Sequence, residues 1–135
     1  DIISRSPDHI MAQKSRLELA ENAIAEKKYD EAVKLAEIVI NNVVDDNAAR
    51  AQYIIGNRYF VAGDFETAQY KLMRITMLYE NYEEWIAEAK LLIARCQSNL
   101  GEDGDAVKTL EEVIEAHPRD DFGKRAEALT QEIKK

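Results

Sequence analysis

The chain has 135 residues, 46% apolar and 33% charged, which is the size and balance of a single domain with a core of its own. Its formal net charge of -8 and pI near 4.8 argue against nucleic acid, because phosphate binding requires a clustered Lys/Arg surface. Cys96 is the only cysteine, so no internal disulfide can form, and no apolar run approaches the roughly 20 residues of a membrane span.

The charge is spread unevenly. Residues 1–45 carry 6 basic and 9 acidic groups, 46–117 carry 7 and 13, and 118–135 carry 5 and 4. A basic or neutral partner segment is therefore expected to fit the centre more easily than an acidic one. Only 5 Gly and 2 Pro interrupt a composition rich in good helix formers, which favours an all-α chain. No signal peptide is visible, and an opening at Asp1 rather than Met is expected of a mature form or a piece of a longer protein.

In chain order, residues 1–12 read as a lead-in and a helix start. Ser6 suits an N-cap, Pro7 the first helical position and Asp8 the positive end of the dipole. Ile10, Leu17, Leu19, Ala20, Ala23 and Ile24 give this helix an apolar face as far as about Glu26. Lys27 to Asp30 turn the chain, and a second helix with Ala32, Val33, Leu35, Ala36, Val39 and Ile40 inward ends near Asn41-Asn42. Asp45-Asp46-Asn47 caps a third helix over about 47–62, and Gly63 ends it. A fourth, about 65–79, presents Phe65, Ala68, Leu72, Ile75 and Leu78.

After the polar linker 80–84, a fifth helix runs from Trp85 to Leu100 with Ala89, Leu92, Ile93 and Cys96 inward. Gly101 to Gly104 turn it back into a sixth, built on Ala106, Val107, Leu110, Val113 and Ile114 and stopped at His117-Pro118. Asp120-Asp121 open a seventh with Phe122, Ala126, Leu129 and Ile133 apolar and its other face polar. A terminal helix of that kind suits the open end of a stacked array.

A small residue recurs in the first helix of each pair at Ala20, Gly56 and Ala94, and in the second at Ala32, Ala68 and Ala106. Both series step by 36 and then 38 residues. Helices approach closely only where side chains are small, so the coincidence marks three repeated hairpins. With Tyr29-Asp30-Glu31-Ala32, Tyr59, Gly63-Asp64-Phe65, Leu72, Leu110 and Pro118, these markers resemble the tetratricopeptide repeat over residues 13–118. Asp103 departs from the pattern where Tyr29 and Phe65 supply an aromatic, so the third turn is expected to pack less well.

The resemblance implies an all-α, right-handed α-solenoid of three helical hairpins (13–46, 47–84 and 85–118) plus a C-terminal capping helix (119–135), all one domain. It implies a non-enzymatic protein-interaction scaffold that holds a peptide or partner protein in a concave groove, without cofactor, as a monomer or weak homo-oligomer. The alternative is a structural spacer or self-association segment of a larger assembly. Spacings above the family's usual length are similar to those of bacterial cell-envelope scaffolds, which by analogy favours periplasm or envelope over cytoplasm.

Carried over by register, the groove would be lined by Leu17 and Glu21, then Arg50, Tyr53, Asn57 and Phe60, then Glu88, Leu91, Arg95 and Ser98. Tyr53, Asn57 and Phe60 share one helical face and combine aromatic area with an amide able to pair a peptide backbone. That Tyr53 and Phe60 merely pack on neighbouring helices stays open. Relatives that grip a C-terminal carboxylate use Lys, Asn and Arg where this chain has Leu17, Glu21, Ile54, Glu88 and Leu92, so that clamp is absent and acidic tails of that type are not expected to bind.

Trp85, beside Tyr79 and Tyr82, is expected to brace adjacent repeats, the other reading being an exposed partner site. Cys96 is expected to be a small buried hydrophobe. Catalysis and metal binding find little support. His9 and His117 are far apart, cysteines do not cluster, and Glu102 to Asp105 lack calcium-loop offsets. No phosphate-cradling glycine loop or nucleophile elbow occurs.

Overall fold

A computed structural model describes residues 7–42 and 45–135. Its elements are seven helices in succession: α1 (Pro7–Ala25), α2 (Tyr29–Asn42), α3 (Asp46–Val61), α4 (Phe65–Leu78), α5 (Glu83–Asn99), α6 (Asp103–Ala116) and α7 (Asp121–Lys134). Each packs on the next. The odd-numbered helices also touch one another, α1 with α3, α3 with α5 and α5 with α7, whereas among the described residues no comparable pairing joins α2, α4 and α6. An inner layer of first helices and an outer layer of second helices follow, the arrangement of a helical-hairpin solenoid.

The six small residues lie where the hairpins close. Ala20, Ala32, Ala68, Ala94 and Ala106 are fully buried, and so is Gly56 within α3. Gly56 meets the tightest approach: a Cβ there would come within 2.5 Å of both Cγ and Cδ2 of the buried Leu72 on α4. Gln52, one turn earlier, is buried as well and donates from Nε2 to the Lys71 carbonyl at 3.0 Å, tying α3 to the main chain of α4.

Three turns close with one backbone motif. Lys28, Asp64 and Glu102 donate their amides to the carbonyls of Ala23, Tyr59 and Gln97, while Lys27, Gly63 and Gly101 donate to Ile24, Phe60 and Ser98. This pair of bonds needs a left-handed residue just past the helix. Lys27 (φ 64°), Gly63 (φ 84°) and Gly101 (φ 81°) supply it, again 36 and 38 residues apart. At the third turn a polar contact stands in for the aromatic one: Ser98 donates its hydroxyl to Asp103 at 3.1 Å, whereas Phe65 sits edge-on to Phe60 with ring centroids 5.5 Å apart.

Aspartates cap three of the helix starts, whereas α5 and α6 begin without a side-chain cap. Asp45 accepts from the amides of Asn47 (2.9 Å) and Ala48 (3.3 Å), Asp64 from Thr67 and Asp120 from Gly123. The expected cap Ser6 lies outside the described residues. Two inward assignments need correction. Leu19 on α1 is 56% exposed and Leu78 on α4 is 66% exposed, Tyr79 taking the inward place at the end of α4.

α7 turns back sharply onto α6 because Gly123 lies against the His117 carbonyl, where a Cβ would collide with backbone. Phe122 packs on the His117 ring at 5.1 Å, and Ala126 and Thr130 are buried against α6. Lys124, Glu127, Gln131 and Lys134 of α7 are polar and exposed.

Candidate functional site

The inner layer, α1, α3, α5 and α7, brings most of the expected groove residues together. At the first crossing, Arg50 on α3 donates to Glu21 on α1 at 2.5 Å. At the last, Arg125 on α7 pairs with Glu88 on α5. Between them stand Tyr53, Asn57 and Phe60 from α3 and Arg95 from α5.

Tyr53 is half-buried and packs its ring on Trp85, centroids 5.7 Å apart. Burial pushes its hydroxyl up to about 12, the Glu88 charge acting the same way and Arg125 and Arg95 opposing. The phenol is therefore neutral at ordinary pH and remains a hydrogen-bond donor. Trp85 in turn donates from its indole to Asp46 at 2.7 Å, which fastens the start of α5 to the start of α3 as a brace between repeats.

One turn along α3, the half-buried Asn57 amide makes no hydrogen bond among the described residues. Phe60 carries the Arg95 guanidinium over its face at 5.2 Å, a cation–π contact. Arg95 is exposed and has no acidic partner among the described residues. Each ring packs on a neighbour, Tyr53 on Trp85 and Phe60 on Phe65, and each stays partly exposed.

Two expected groove residues do not reach the surface. Leu17 is 0% exposed inside the cluster of α1, α2 and α3, because its position faces the hairpin partner rather than the concavity. Leu91 is 5% exposed and forms part of a cavity floor instead. Ser98 lines the inner face with its hydroxyl already given to Asp103.

Sequence reasoning missed the contribution of α7. Two cavities open between α5 and α7, one of about 390 Å³ lined by Arg95, Ser98, Leu129 and Ile133, the other of about 340 Å³ lined by Leu91, Arg95, Arg125 and Leu129. Glu132 borders both. A signal was present: Trp85 to Phe122, Glu88 to Arg125 and Arg95 to Glu132 each span 37 residues, so α7 repeats the inner-helix register.

Among the described residues no three of His, Cys, Asp and Glu converge as metal ligands. Cys96 is fully buried, which pushes its thiol up to about 11 and leaves it a poor nucleophile. No described helix is long and apolar enough to cross a membrane.

Residues 88–120, from the second turn of α5 through α6 to the loop before α7, match the family model of the tetratricopeptide repeat. Among curated proteins none matches the chain. Repeats of this type generally mediate protein–protein interaction, and their all-helical fold is typically non-enzymatic. That match and seven consecutive helices stacked as hairpins together support a repeat protein of the tetratricopeptide type.

Proposed function

We propose that the chain is a non-enzymatic scaffold that holds a segment of a partner protein in the groove formed by α1, α3, α5 and α7. The observation that carries this reading is the centre of the inner face, where Tyr53, Asn57, Phe60 and Arg95 present rings, an amide and a guanidinium without hydrogen-bond or acid partners of their own. Aromatic area beside convergent polar groups is the composition of a protein-binding hot spot.

The test compares partner capture by the parent chain and by a Tyr53→Phe/Asn57→Ala double variant. Phe keeps the ring that packs on Trp85, so the variant should melt within about 1 kcal/mol of the parent. Proteins retained by the parent and lost by the variant support the groove, whereas an unchanged set places the site elsewhere.

A second reading, self-association, is favoured by the outward face of α4. Tyr70 (62% exposed), Met73, Met77 (72% exposed) and Leu78 form an apolar stripe there, larger than scattered surface hydrophobes produce. Light scattering coupled to sizing separates the two: a concentration-dependent dimer that Met77→Glu abolishes supports this face, and a monomer at all concentrations removes it.

A further inference from the structure

Two rows of side chains cross the groove floor at the repeat spacing. One runs Arg50, Glu88, Arg125, the other Glu21, Asn57, Arg95, Glu132. Arg50 holds Glu21 and Arg125 holds Glu88, so these four charges cancel in pairs. What remains at the centre is the Asn57 amide and the Arg95 guanidinium.

The net charge of -8 led to the expectation of a basic or neutral segment at the centre, yet Arg95 there has no acid partner among the described residues, because much of the acid sits elsewhere. Asp46, Glu66, Glu83, Glu84, Asp103, Asp105 and Asp121 occupy first turns of helices, where they face the positive end of the helix dipole. Resting on the groove reading above, we infer that the groove selects an extended protein segment with an internal aspartate or glutamate side chain. The carboxylate sits on Arg95, and Asn57 pairs with the segment's main chain.

The geometry of each group fits its task. Stacked on Phe60 at 5.2 Å, Arg95 still has N–H groups for a planar carboxylate, the match that favours Arg over Lys for such contacts. Asn57 offers one acceptor and two donors to an extended backbone. Leu129 and Ile133 line the cavity next to Arg95 and can take an apolar neighbour of the acidic residue.

Glu132 borders the same cavity without an ion pair to Arg95. A second acid at that end of the segment would meet repulsion, so the charge is read at one place. This differs from a clamp on a free C-terminal carboxylate, because the groups that would hold one are absent at Leu17, Glu21, Ile54, Glu88 and Leu92.

The test uses the full chain and fluorescent ten-residue peptide pools, acetylated and amidated so that no terminal charge contributes. All positions are randomised except a central one fixed as Asp, Asn or Lys, and binding is read by anisotropy at low salt. The Asp pool should bind about fivefold more tightly than the Asn pool, the upper range for a half-exposed ion pair, and the Lys pool least of all. Arg95→Gln should bring the Asp and Asn pools level, and Arg95→Lys should keep a preference for Asp. Asn57→Ala should weaken all three pools alike.

Equal binding of the Asp and Asn pools by the parent chain, or an Asp preference that survives Arg95→Gln, overturns the inference while leaving the groove in place. If no pool binds at all, the groove reading itself fails and takes the inference with it.

Discussion

The turn between α1 and α2 and the turn between α3 and α4 carry the same two backbone hydrogen bonds, yet they are built from different residues. The middle turn uses Gly63 in the left-handed region and Asp64 to cap α4 through the Thr67 amide. The first uses Lys27 at φ 64°, followed by Lys28, whose side chain pairs with Glu26 at 3.0 Å instead of capping α2. A lysine in that region is strained by roughly 1–2 kcal/mol relative to glycine. The comparison teaches that helix pairing, with Ala20 and Ala32 both fully buried, holds the turn, and that the turn residues adapt to it. Where the residues suit the turn, as in the middle unit, the closest approach can be tighter still.

Breaking the middle unit at that approach should have the largest effect. Gly56→Ala inserts a methyl against Leu72, which is 0% exposed and has nowhere to move. Overpacking of this kind costs about 1–3 kcal/mol, and alanine recovers up to about 1 kcal/mol of helix propensity. With a Cβ at 2.5 Å from a buried side chain the upper end of that range applies, so a net loss near 2 kcal/mol is expected, read as a fall of roughly 6 °C in melting temperature. Ala20→Gly in the first unit brings no clash and should cost less, about 1–2 kcal/mol, from lost propensity and one buried methyl. If the two substitutions proved equal, the middle unit would not be the more tightly closed.

Gly63→Ala sharpens the comparison by separating backbone from packing. A Cβ at Gly63 meets nothing within 4 Å, so any loss comes from φ 84° alone. The expected cost is about 1 kcal/mol, the left-handed penalty less the entropy that alanine removes from the unfolded chain, measured by urea unfolding. A neutral result would show that this turn relaxes away from the left-handed conformation.

The repeat was legible because its markers are small residues, and size is a property that sequence states outright: Ala20, Gly56, Ala94 and their partners all lie buried as the spacing required. The groove was legible only in part. Register put Glu21, Asn57 and Arg95 on exposed or half-buried positions of α1, α3 and α5, but it could not say that Leu17 turns inward. That depends on a rotation of α1 against α2 and α3, a few tens of degrees that a seven-residue pattern does not resolve. α7 was hidden for a different reason. Its polar outer face reads as a cap, and the 37-residue echo of Glu88 in Arg125 reverses the sign of the charge, so a search for like residues passes over it. The ion pair between those two residues is the contact that such a reversal makes possible.

Lys27→Gly closes the comparison from the other side, since it gives the first turn the residue that the middle one already has. Relief of the left-handed backbone should contribute about 1–2 kcal/mol, and the added freedom of glycine in the unfolded chain takes back about 0.4–1 kcal/mol. A net gain of roughly 0.5–1 kcal/mol follows. Lys27 is exposed, and its side chain makes no ion pair among the described residues, so little opposing contact is lost. Amide exchange is the sharper readout here, because stability in stacked repeats is partly local. Slower exchange at Lys28, whose amide bonds to Ala23, with no change at Asp64 in the middle turn, would show that the strain sits in the first hairpin. An unchanged or faster rate at Lys28 would mean that tertiary packing has already absorbed the strain, and that the two turns differ in composition but not in energy.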